Sequence, residues 1–146
     1  RPYGQASSGP SAQVQQQKLS RFGSQINAWS DPPLALVGAA ALRRGAVGVG
    51  FSNSGQTKET IRGLRTAHDT GAFTVAVTNY RDSPITKEAD CVITTVSKET
   101  RFRYAAMPSR MAQLVIVDVL FMGVARLHPD ETQNLLAQTF AAAQDA

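Results

Sequence analysis

The sequence predicts a doubly wound α/β layer, a parallel sheet covered by helices on both faces. Three observations predict it. Short apolar or β-branched runs at residues 46–51, 73–78 and 91–96 alternate with segments of helical length and pattern. These runs stay apolar at successive positions, so both faces of the sheet must be covered. Loops follow these runs: a Ser/Gly loop after 51, a loop over 79–84 and a polar loop over 97–107. Right-handed crossovers then put helices on both sides, and a flavodoxin-like sheet of about five strands in the order 2-1-3-4-5 is expected. The 146 residues suit one domain, residues 1–146, with one hydrophobic core.

Residues 4–9, Gly-Gln-Ala-Ser-Ser-Gly, read as a loop that opens a helix over 10–22. Pro10 sits in its first turn, where a missing N–H costs nothing, and Gly23 stops it. Only Arg1, Pro2 and Tyr3 precede that loop, so the first strand is expected to be truncated or missing and the chain to be a fragment. Residues 25–29 form a short strand. Ser30 or Asp31 can cap the Ala-rich helix over 32–42 that follows. After the strand at 46–51 comes a Ser/Gly loop, then a helix over 57–70 stopped by Gly71. Residues 79–84 are a loop, 85–88 one helical turn and 97–107 a polar loop. Two helices, over 108–126 and 129–142, end the chain, each with a proline at its start.

Composition removes several classes. A single cysteine, Cys91, excludes a disulfide framework and fits a reducing, cytoplasmic setting, with Cys91 itself a small buried hydrophobe. The apolar runs 114–117 and 119–122 are broken by Asp118 and fall short of the ~20 residues a span requires, so no membrane association is expected. No signal-peptide pattern opens the chain. Net charge is +4, but the fifteen Lys and Arg are scattered, and Lys58, Arg62 and Arg65 read as a solvated helix face. No His/Cys cluster has metal-ligand spacing, so neither a metal nor a cofactor is expected.

The chemistry concentrates in residues 50–60. Ser52, Ser54 and Thr57, with Gly55 among them, follow a strand and open a helix. A helix N-terminus carries unsatisfied N–H donors and about +0.5 of a charge, which suits a phosphate. Gly55 allows close approach of the backbone, and hydroxyls donate hydrogen bonds without net charge. The loop with Ser7, Ser8 and Gly9 has the same character. In a 2-1-3-4-5 sheet both loops flank the switch-point crevice between strands 1 and 3.

Ser52-Asn53-Ser54-Gly55-Gln56-Thr57-Lys58-Glu59 resembles the S-x-S-G-x-T-x-E signature of the sugar isomerase (SIS) domain. The likeness runs over nearly the whole chain and is closest to the C-terminal sensor domain of RpiR-type transcriptional regulators. It includes Gln17-Lys18-Leu19, Ser30-Asp31-Pro32, Thr78-Asn79-Tyr80 with Ser83-Pro84, and residues 109–114 with Asp118. The family's first loop, G-x-G-x-S, falls on Gly4, Ala6 and Ser8, with Ala6 in place of the second glycine. The resemblance implies that Ser8, Ser52, Ser54 and Thr57 hold a phosphate, assisted by the backbone N–H groups of Asn53 and Gly55. Ser7 is a further candidate. It also implies that a loop near Glu99 closes over the sugar, and that DNA is bound by a helix-turn-helix domain absent from this chain.

An aldose–ketose isomerase needs a base beside the carbonyl. Glu99, beyond a strand at the carboxyl edge, is the better candidate; Glu59 reads as charge–dipole stabilisation of its helix. His68 and His128 read as surface or helix-end residues. The expected function is therefore a phosphosugar sensor of a transcriptional regulator, not an enzyme, with a phosphorylated sugar or sugar acid as ligand. The alternatives are a sugar-phosphate isomerase using Glu99 and a dimerisation module with a vestigial pocket. Helix 108–126 is apolar nearly all round, which predicts a homodimer through it, with Asp118 hydrogen-bonded in the packing.

Overall fold

The computed structural model describes residues 4–7, 16–18, 20, 26–97 and 107–144. Five strands pair in parallel: β1 (Gly4–Ser7), β2 (Ile26–Trp29), β3 (Val47–Phe51), β4 (Phe73–Thr78) and β5 (Cys91–Thr94). Their order is β2-β1-β3-β4-β5, the expected 2-1-3-4-5. The helices are α1 (Pro32–Ala40), α2 (Lys58–Asp69), α3 (Met107–Leu127) and α4 (Pro129–Gln144), with a 3-10 turn at Pro84–Glu88. Residues 16–18 and 20 are helical within the segment read as the first helix.

One expectation is corrected. Gly4–Ser7, read as loop, is a strand, so the first strand is not missing. Gly, Gln, Ala and Ser have little strand propensity of their own. Here the segment lies between two partners, with Gly4 opposite Ile26 and Val47, and Ser7 opposite Trp29 and Gly50. A ladder on both edges supplies what side-chain propensity lacks, because strand preference is mostly context.

Alternation along the strands builds two apolar layers. Val49, Phe51 and Val77 point to one face and form a core with Val117 of α3, flanked by Val47, Val75, Ile93 and Ile116. On the other face Ala46, Ala72, Ala39 and Ala67 bring α1 and α2 together, and Ala76 packs on Leu64 and Ile85. The side chains on that face are small, which lets α2 lie close: a Cβ on Gly50 would sit 2.6 Å from Leu64 Cδ1. That close docking sets the N-terminus of α2 directly beyond the carboxyl end of β3. Asp31, not Ser30, caps α1, accepting from the Leu34 N–H at 3.1 Å.

On α3, Val117 is fully buried, whereas Met111, Val115, Val119 and Met122 are each about 60% exposed. Their spacing puts these four on one stripe of the helix. Asp118 pairs with Lys18 and is half exposed. Among the described residues no single helix is long and apolar enough to cross a membrane.

Candidate phosphate site

β3 ends at Phe51, a fully enclosed core residue that anchors the loop behind it. Ser52 continues in line, its N–H donating to the Val77 carbonyl at 3.0 Å and its side chain 4% exposed. Its hydroxyl meets the Thr57 hydroxyl at 2.9 Å. Thr57 occupies the N-cap of α2, yet its hydroxyl makes no capping bond; it faces Ser52 across the loop. In such a pair one hydroxyl donates, and the other keeps its own O–H for a ligand. Ser54 is exposed and accepts from the Gln56 N–H at 3.2 Å.

The first hydrogen bond of α2 runs from the Ile61 N–H to the Thr57 carbonyl at 3.0 Å. The N–H groups of residues 58–60 thus have no partner within the helix and point past Thr57, with the helix dipole behind them. The Gly55 N–H is not among the available donors. It bonds the Ser52 carbonyl at 3.0 Å, closing the turn. What Gly55 contributes is conformation and room. Its φ is +64°, and a Cβ there would meet Ser83 Oγ at 2.0 Å and Thr78 Oγ1 at 2.9 Å.

Loop 52–57 is seated by three bonds on residues 78–85, the end of β4 and the loop 79–84 that follows it. The Asn79 N–H donates to the Asn53 carbonyl at 3.0 Å, Thr78 Oγ1 to the same carbonyl at 3.3 Å, and the Ile85 N–H to the Gly55 carbonyl at 3.0 Å. Between the loops opens a cleft of about 490 Å³, lined by Ser54 and Gln56 on one side and residues 79–84 on the other. The cleft wall is rich in hydroxyl and amide groups and bears one guanidinium, Arg81, and one carboxylate, Asp82. Such a wall suits an oxygen-rich anionic ligand.

A family model for the SIS domain matches residues 3–123. The chain belongs to the SIS domain family. An uncharacterized HTH-type transcriptional regulator of Caldanaerobacter subterraneus is 39% identical over 137 residues, 94% of this chain and 49% of that protein. The Vibrio vulnificus NanR protein, solved with ManNAc-6P, superposes with a TM-score of 0.86 at 20% identity, over 99% of this chain and 56% of its own. The sugar isomerase domain of an RpiR transcription factor from Sphaerobacter thermophilus gives 0.81 at 18% identity, over 95% and 78%. The chain thus spans about half the length of the Caldanaerobacter regulator and of NanR.

In this SIS domain Ser52, Asn53, Ser54, Gly55 and Thr57 come together on one loop. The Ser7–Gly50 register sets the carboxyl end of β1 beside that of β3, as the switch-point argument requires. Ser8 and Glu99 lie outside the described residues. Lys58 and Glu59 are exposed on the first turn of α2. His68 lies by the amino end of the sheet, with Nε2 3.6 Å from Asp90 Oδ1, and His128 heads α4, its carbonyl accepting from Thr132 Oγ1 at 2.7 Å. Cys91 is half-buried in β5. Among the described residues no three His, Cys, Asp or Glu side chains gather as metal ligands.

The 79–84 wall escaped the residue-by-residue reading. A signal for it did exist: in a parallel sheet the loop after β4 must open on the same edge as the loop after β3, so Asn79 and Arg81 share that edge with Ser54.

Proposed function

We propose that this chain is the phosphosugar-sensing domain of a transcriptional regulator, with the phosphate held at loop 52–57. The observation that carries this reading is the Ser52–Thr57 hydroxyl pair, 2.9 Å apart over the uncapped N-terminus of α2 and beside an open polar cleft. Ser52, Ser54 and Thr57 hydroxyls and the first N–H groups of α2 take the phosphate, with Ser8 and Ser7 contributed from the end of β1. The sugar, or sugar acid, extends along the wall of Tyr80 and Arg81. The regulator relatives support sensing over catalysis. DNA is contacted by a part of the longer protein outside this chain, in the cytoplasm, and two copies pair through the exposed apolar stripe of α3.

The test is a thermal-shift panel of inorganic phosphate, hexose 6-phosphates, pentose 5-phosphates, phosphorylated sugar acids and unphosphorylated sugars. A ligand at a hundred times its Kd stabilises by about 2.7 kcal/mol, which raises Tm by roughly 5–10 °C in a domain of this size. One phosphorylated class should stand out, and unphosphorylated sugars should do nothing. Recovery of that compound unchanged after overnight incubation supports a sensor. Aldose–ketose conversion that vanishes in Glu99→Gln would make the domain an isomerase. Sedimentation of a monomer at tens of micromolar would remove the pairing through α3.

A further inference from the structure

Asn79 is bonded on both sides, by two different parts of the residue. Its main chain faces β3, where the N–H donates to the Asn53 carbonyl of the phosphate loop at 3.0 Å. Its side chain faces β5. There Nδ2 donates to the Ser97 carbonyl at 3.1 Å, and Oδ1 accepts from the Ser97 N–H at 2.8 Å and from Ser97 Oγ at 3.3 Å. The last paired rung between β4 and β5 is Thr78 with Thr94, followed by the Thr95 N–H donating to the Thr78 carbonyl at 2.9 Å. The Asn79 carboxamide therefore adds one more rung, acting as a peptide group supplied by a side chain. Only a group with a donor and an acceptor side by side can do this at that reach. Aspartate keeps the acceptor and loses the donor; alanine loses both.

We propose that Asn79 is a positioning residue that couples the phosphate loop to the end of β5, so that anion binding at loop 52–57 orders the backbone at Ser97. The proposal rests on the reading of that loop as the phosphate site. An anion held by Ser52, Ser54 and Thr57 restrains the loop whose Asn53 carbonyl both Asn79 and Thr78 grip. Restraining that carbonyl restrains Asn79, and the bidentate amide carries the restraint to Ser97 through a continuous hydrogen-bonded chain. A plain structural staple would hold Ser97 equally well with and without an anion, so the two roles differ in a measurable way.

The measurement is amide hydrogen exchange by NMR on the labelled chain, with and without saturating inorganic phosphate. In the wild type, phosphate should slow exchange of the Ser97 N–H about tenfold or more. Asn79→Ala should bind phosphate within about threefold of the wild-type Kd, because the main-chain bond to Asn53 survives, yet Ser97 should no longer respond. Asn79→Asp, which retains the acceptor for the Ser97 N–H, should recover part of the response. Phosphate binding with unchanged Ser97 exchange in the wild type overturns the coupling and leaves the phosphate site standing. A tenfold loss of phosphate affinity in both variants also overturns it, since the side chain would then support the loop itself. No response at the amides of residues 52–57 overturns the phosphate site, and the coupling falls with it.

Discussion

The two ends of β4 carry the same residue in opposite circumstances. Thr74, at the amino end, and Thr78, at the carboxyl end, are both fully buried. Thr74 is locked to Asp90: its N–H and hydroxyl donate to Asp90 Oδ2 at 2.7 and 2.9 Å, and the Asp90 N–H returns a bond to the hydroxyl at 3.1 Å. Every polar group in that knot is answered by another. Thr78 is held more loosely, through bonds of 3.3 Å to the Asn53 carbonyl and from the Tyr80 N–H, and beyond it the hydroxyls of Ser52, Ser54 and Thr57 have only each other or a loop amide. A hydroxyl gripped by a carboxylate belongs to the scaffold. A hydroxyl bonded only to its own loop retains donor capacity for a ligand, so the carboxyl edge is the end of this sheet suited to a ligand.

Two glycines give the strongest test of that contrast. Gly45 and Gly55 both have positive φ, +88° and +64°, but a Cβ on Gly45 meets nothing within 4 Å, whereas one on Gly55 strikes Ser83. Gly45→Ala should cost only backbone strain, about 1 kcal/mol, and leave phosphate affinity unchanged. Gly55→Ala has the same strain plus a collision that cannot be relieved without moving loop 52–57 off loop 79–84. Its phosphate affinity should fall about a hundredfold or more, with a stability loss of roughly 1–3 kcal/mol. Calorimetric titration and urea unfolding of the two variants side by side check this. Equal losses of affinity would mean that the seating of the two loops has no part in binding.

Single hydroxyls should matter less. Ser52→Ala, Ser54→Ala and Thr57→Val each remove one charge-assisted bond, worth about 1.5–3 kcal/mol, so affinity should drop roughly ten- to hundredfold while Tm without ligand barely moves. Lys58→Ala should do less, because that side chain is exposed on the first turn of α2. If Lys58→Ala proves the worst of the four, simple charge attraction, and not the hydroxyl cradle, holds the anion.

Legibility in the sequence follows the same division between local and distant causes. β4 reads correctly to the residue because a β-branched run is bounded by Gly71 and Asn79, signals that lie within the segment itself. Ser52, Ser54 and Thr57 were legible because a strand, a hydroxyl-rich turn and a helix start stand in one unbroken stretch. β1 was not, since Gly4–Ser7 becomes a strand only through partners 20 and more residues away. The part played by Asn79 was equally hidden, as it depends on Ser97 arriving beside it on the next strand. The Gly55 N–H is a subtler case: the motif places it at the site, and only the turn geometry shows that the Ser52 carbonyl already holds it.

The smallest effect is expected at the scaffold end, and its sign follows from Asp90. The Thr74 N–H and then the Thr74 hydroxyl, both donating to the carboxylate, hold its pKa below the ordinary aspartate value, against a weaker opposing cost of burial. A carboxylate depressed in the folded state contributes stability that is fully present above its unfolded value, near pH 4, and is lost as pH falls through the folded value below it. Asp90→Asn removes that charge while leaving an oxygen to accept from Thr74. The stability gap between wild type and variant should therefore close progressively as pH falls below about 4. Glu88, lowered first by its hydrogen bond from Arg65 at 2.6 Å, titrates in the same window in both proteins and cancels from the difference. Phosphate affinity at pH 7 should be unchanged in the variant, because the Thr74–Asp90 knot is at the other end of β4 from Ser52. A gap that widens as pH falls would show that Asp90 is not the group so held, and a loss of phosphate affinity would show that the two ends of the sheet are not independent.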